Sequence, residues 1–87
     1  MVNARGCITA LNRAAELILG GAATALTGRP IQEVAPGSGL PEVLETGQLQ
    51  TSRRVVINGK HLVSNLSPVT HDGRVVGAVA VRPVPWL

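Results

Sequence analysis

Two dipeptides, Asn58-Gly59 and Asp72-Gly73, constrain this chain more than any other feature. A two-residue hairpin loop needs positive φ at its centre, which Asn-Gly and Asp-Gly accept at little steric cost. The flanking segments are apolar with period two, so three strands are expected, roughly 50–57, 60–71 and 74–82, joined as an antiparallel meander. With both loops two residues long, Val55 faces Leu62, Arg53 faces Ser64, Thr51 faces Leu66, Leu66 faces Val79 and Ser64 faces Val81.

That register sorts the side chains into two faces. One collects Val55, Ile57, Leu62, Leu66, Val75, Val79 and Val81, with Pro68 and Gly77 at a close approach or bulge, and it is expected to cover helices. The other carries Arg54, His61, Asn65, Ser67 and Arg82, but also Val56, Val63, Val69, Val76, Ala78 and Ala80. A solvated face holds fewer valines, so those six apolar residues are expected to meet a partner subunit or another element.

Before Gly47 the period is helical and the pieces are short. Cys7 to Leu11 reads as a strand ending at Asn12, a good helix N-cap, followed by a helix over 13–19 with Ala14, Leu17 and Ile18 on one face. Gly20-Gly21 stops it, and Ala22 to Leu26 forms a further turn. Pro30, as a first helical residue, opens a short helix over 31–34. Residues 35–39, Ala-Pro-Gly-Ser-Gly, are a loop, after which Leu40, Val43 and Leu44 share a face until Thr46-Gly47.

At 87 residues the chain holds one core. A domain of this size buries only about 60–65% of its unfolded surface, so it is expected to lean on a second copy or a longer parent protein. The core is aliphatic, since Trp86 is the one aromatic residue apart from the histidines, and this disfavours flavins and nucleotide bases held by stacking. Residues 1–47 carry three basic and four acidic groups, residues 48–87 five and one. Only Arg53 and Arg54 adjoin, without interleaved aromatics, so a nucleic-acid partner is not expected. One cysteine, Cys7, fits a reducing compartment, and no run approaches the ~20 apolar residues of a membrane span. The reading is a soluble, cytoplasmic module with no membrane partner.

The order strand, short helices, three-stranded meander resembles that of the PAS domain family. The phrase from Cys7 to Ala15, Thr27-Gly28-Arg29-Pro30-Ile31, the stretch from Leu40 to Gly47, Leu66-Ser67-Pro68-Val69 and Asp72-Gly73-Arg74-Val75-Val76-Gly77 are similar to that family's local phrases. No one of them is specific, and their order over residues 3–82 carries the resemblance. It implies an α+β fold, an antiparallel sheet with short helices packed on one face. A single domain over 1–82, its first strand cut short before Val2, then precedes a linker beginning at 83–87. It also implies a sensory module of a larger signalling protein, such as a sensor histidine kinase or a transcription activator. Such a module works as a homodimer, passes its signal to an effector domain of the same chain, and binds a small molecule between helices and sheet. The alternative is a ligand-free dimerisation domain whose cavity its own leucines and valines fill. The residues expected at the ligand are Asn12, Val34, Leu44, Arg53, Leu62, Ser64, Leu66 and Val79.

No cofactor is expected. Cys7 starts a strand, whereas the flavin-reactive cysteine of the family's light sensors lies in the helical region, and residues 40–45 lack the histidine that a haem would need. His61 and His71 have no Cys, Asp or Glu cluster at metal-binding spacing, so no metal site is expected. Catalysis is not expected either, because Ser67, His61, His71 and Asp72 are too dispersed for a hydrogen-bonded relay. Gly37-Ser38-Gly39 lacks the following Lys-Ser/Thr of a phosphate loop. Arg53 opposite Ser64 on the inner face invites two readings. They anchor a carboxylate ligand, or Arg53 reaches water at the sheet edge or pairs with Glu42 or Glu45, and the second weighs more.

Overall fold

In the computed structural model, which describes residues 1–85 and only the backbone of Arg82, both hairpin loops take the required angles. Asn58 and Gly59 have φ of 52° and 76°, Asp72 and Gly73 51° and 77°. They join β2 (Gln50–Ile57), β3 (Lys60–His71) and β4 (Arg74–Pro85). A two-residue β1 (Val2–Asn3) pairs with β4, so the antiparallel sheet has the order β1-β4-β3-β2. β4 runs past the expected end at Arg82, with Val84 and Pro85 paired to Val63 and Leu62, so residues 83–85 are strand, not linker. The linker expectation for Trp86 and Leu87 lies outside the described residues.

Near the first turn the expected register is observed, with Val55 opposite Leu62 and Arg53 opposite Ser64. Farther out, three irregularities change it. Ser52 takes φ 53° and its N–H donates to Asn65 Oδ1 at 2.8 Å, so Gln50, not Thr51, faces Leu66. On β4, Val69 pairs with Gly77 and Thr70 with Val75, leaving Val76 as an extra residue. Leu66 therefore faces Ala80, not Val79, and Val81 faces Asn65, not Ser64. A third irregularity sets Arg82 and Pro83 against Ser64. A slip of one residue exchanges faces. Ala78, expected on the outer face, is fully buried in the core, and Ala80 comes inward beside Leu66. Val79 and Val81, expected inward, pair with Ser67 and Asn65 of the outer row. The outer-face expectation for the Arg82 side chain falls outside the described residues.

The expected strand over 7–11 is reduced to single bridges, Val2 with Ile8 and Cys7 with Pro30. Asn3 Oδ1 accepts from the N–H groups of Arg5 and Cys7, turning the chain, and the Ile8 N–H goes to Arg29 O. The hydrogen bonds of this segment are divided between residues 1–3 on one side and 28–31 on the other, and only isolated bridges result.

The helices are α1 (Arg13–Leu19), α2 (Ala23–Leu26), α3 (Ile31–Val34) and α4 (Leu40–Thr46), with a 3₁₀ turn at Pro36–Ser38. Asn12 caps α1 through Ala15 N, and Gly20 closes it at φ 77°. Pro30 is the N-cap of α3, one position earlier than expected. Gly37 is indispensable to the packing of the 3₁₀ turn, since a Cβ there would run into the Val56 carbonyl oxygen of β2. The core joins Val2 and Ile8 to Leu26, Ile31, Leu40 and Val43 of the helices and to Leu66 and Ala78 of the sheet.

Candidate functional site

Between the helices and the sheet lies a cavity of about 490 Å³. Asn12, Ala14, Ala15, Ile18 and Leu19 of the α1 segment roof it, and Val55, Ile57, Ser64, Leu66 and Ala80 of the sheet floor it. Ile31, Ala35, Ser38 and Leu40 close one side, with Met1, Val2, Ile8 and Leu11 on another. β1 covers only Gly77 and Ala78 of β4, so beyond Ala78 the strand edge is open and borders the cavity, which brings Val79, Val81 and Pro83 to its margin.

The roof is lightly held. No α1 residue is buried, and Leu17, expected to share an apolar face with Ala14 and Ile18, is 61% exposed. Three polar contacts fix the segment: the Asn12 cap, the Lys60 ammonium donating to Leu17 O at 2.8 Å, and the Ala23 N–H donating to the Glu16 carboxylate at 2.7 Å.

Of the eight residues expected at a ligand, Asn12, Ser64, Leu66 and Val79 are brought together at the cavity. Val34 and Leu44 instead pack against the core, and Leu62 is buried in the sheet without lining the cavity. Arg53 is turned elsewhere, ion-paired to Glu42 and hydrogen-bonded to Gln50, beside a smaller cleft with Gly37 and Gly39. Its pairing with Glu42 is the second reading of the Arg53 and Ser64 juxtaposition. Ser38, Ile18, Leu19 and Val55 were not foreseen. The paired alanines of α1 were the available signal, because small side chains on an inward helix face leave space.

The polar groups at the cavity are few. Ser64, 3% exposed, donates to Val81 O at 3.1 Å, and Ser38, 4% exposed, accepts from Leu40 N at 3.2 Å. Asn12 Oδ1 accepts from Ala15 N at 2.9 Å. The Met1 ammonium donates to Ala10 O at 3.1 Å, and burial pushes its pKa below the ordinary 8.0. His71 Nε2 lies 3.4 Å from Asp72 at the exposed second turn. Among the described residues no three His, Cys, Asp or Glu side chains gather as a metal site, and no helix is long and apolar enough to cross a membrane.

The outer face is apolar and open. Val56, Val76, Val81 and Val84 are each 40–51% exposed, and Val63 and Val69 are half-buried among them. Of the six residues expected to meet a partner, Val56, Val63, Val69 and Val76 remain there, whereas beyond the Val76 bulge Ala78 is buried in the core and Ala80, still exposed, borders the cavity.

A family model described as "PAS fold" matches residues 1–86. The chain is 40% identical over 80 residues to a probable C4-dicarboxylate sensor kinase of Halalkalibacterium halodurans, covering 92% of this chain and 15% of that protein. It is 33% identical over 81 residues to the sensor protein CitS of the same organism, again 15% of the relative's length. The chain thus spans about 15% of the curated relatives it matches. Among solved structures, a domain of an HTR-like protein from Haloarcula marismortui superposes with a TM-score of 0.60 at 15% identity, covering 93% of each chain.

Proposed function

The chain belongs to the PAS fold family and is a signal-sensing module, and we propose that it serves a larger sensor kinase by binding a small ligand between its helices and its sheet. The observation that carries this reading is the cavity of about 490 Å³ under a helix with no buried residue. That volume falls within the roughly 300–1,000 Å³ of small-molecule sites, and the lining is aliphatic with a few polar groups.

The mechanism is a shift of populations. A ligand that fits better with one position of α1 also bears on β3 and β4, which present the outer valines on their reverse side. Occupancy then biases what that face meets, a second copy of the chain or the effector region of the parent protein. Absence of a histidine on α4 and of aromatic walls supports a cavity without haem or flavin. The free Cys7 suits a cytoplasmic position.

Native mass spectrometry of the purified chain, with its visible absorption spectrum, tests the reading. A retained small mass without colour is expected. A bare dimer would favour the second reading, a ligand-free dimerisation domain, for which the four exposed valines speak. A coloured protein would overturn the cofactor-free reading.

A further inference from the structure

We infer that the cavity takes an uncharged, mainly apolar ligand and not a dicarboxylate; this rests on its being a ligand site at all. The relative's name makes a C4-dicarboxylate the natural guess. Among the described residues, however, no Asp, Glu, Lys, Arg or His side chain lines the cavity. Arg53, the cation that the sheet register brings nearest in sequence terms, is committed to Glu42 and Gln50 outside it. Met1 does line the cavity, and its ammonium donates to Ala10 O, so the margin offers one cation among the described residues against the two carboxylates of such a ligand.

The neutral polar side chains there are Ser38, Ser64 and the Asn12 amide, each already hydrogen-bonded within the protein. Ser38 accepts from Leu40 N and keeps its hydroxyl hydrogen, whereas Ser64 donates to Val81 O and keeps oxygen lone pairs. Asn12 uses its carbonyl oxygen and keeps its NH₂ group. These can satisfy one or two neutral polar groups. They cannot compensate two carboxylates removed from water, whose burial is costly without a cation or several donors at each. The remaining lining, from Ile8, Ile18 and Leu19 to Val55 and Leu66, is hydrocarbon.

The test is a fluorescence titration of the whole chain with N-phenyl-1-naphthylamine, an uncharged probe, and calorimetric titration with succinate and citrate. The probe is expected to bind saturably and to resist displacement by about a hundredfold excess of either acid over its own dissociation constant. Ala15→Leu, which fills the roof, should weaken the probe at least about tenfold, as would any loss of roughly two methylenes of space. Arg53→Ala should leave it unchanged. Thermal melting checks that Ala15→Leu folds, and Ala80→Met from the sheet side replaces it otherwise. Succinate or citrate binding that either filling substitution abolishes would overturn the ligand class and leave the ligand-site reading standing. Probe binding indifferent to both fillings would place it on the outer face and overturn the inference. No binding of probe or acid would remove the ligand-site reading itself, and this inference with it.

Discussion

Single residues decide this fold where backbone approaches backbone or φ turns positive. Gly37→Ala is expected to destabilise by about 1–3 kcal/mol, because the new Cβ meets the Val56 carbonyl and no flexible side chain can give way. Gly28→Ala is the control. Its φ is 90° but nothing lies within 4 Å of the added carbon, so it should cost only about 1 kcal/mol from the left-handed backbone. Urea denaturation of both variants separates collision from strain. Ser52 was invisible in the sequence for the opposite reason: serine is an ordinary strand residue. Only the Asn65 side chain, on the neighbouring strand, offers the acceptor that holds its N–H at φ 53°.

At the scale of the element, α1 is the informative piece. Its local signals were legible: Asn12 as cap, Gly20 as stop, helix formers between. Its rotation was not, since a two-turn helix with apolar residues at 14, 15, 17, 18 and 19 can turn either of two overlapping stripes inward. The structure turns Ile18 and Leu19 in and leaves Leu17 out. Removing the cap by Asn12→Ala should cost about 1 kcal/mol in the same denaturation assay. Lys60→Ala should act differently. The Lys60 contact is exposed, so the melting temperature should barely change, while hydrogen exchange at the α1 amides should accelerate relative to α4. Equal protection of α1 before and after the substitution would show that Lys60 does not hold the roof.

For the whole molecule the sheet is a wall with two sides. Helices and the cavity occupy one, and exposed Val56, Val76, Val81 and Val84 the other. If that side meets a second copy, Val56→Glu combined with Val76→Glu should convert a dimer to a monomer in analytical ultracentrifugation with little change in unfolding midpoint. The replaced side chains are 49% and 42% exposed, so they contribute little to the core. A dimer that persists would move the interface elsewhere.

Local chemistry was decided by the sequence alone. Asn58-Gly59 and Asp72-Gly73 set two tight turns, the period between them made three strands, and Gly and Pro punctuation cut the first half into short helices. Such signals act over a few residues and need no partner. Tertiary structure decided what depends on an insertion or on a distant neighbour. The extra residue at Val76 moved Ala78 and Ala80 from the outer face to the core side. The choice of Glu42 as partner withdrew Arg53 from the cavity, and the division of hydrogen bonds at Ile8 replaced a strand by bridges. In a sheet of period two, one unpaired residue reverses every side chain beyond it, and nothing in the valine that makes the bulge distinguishes it from its neighbours.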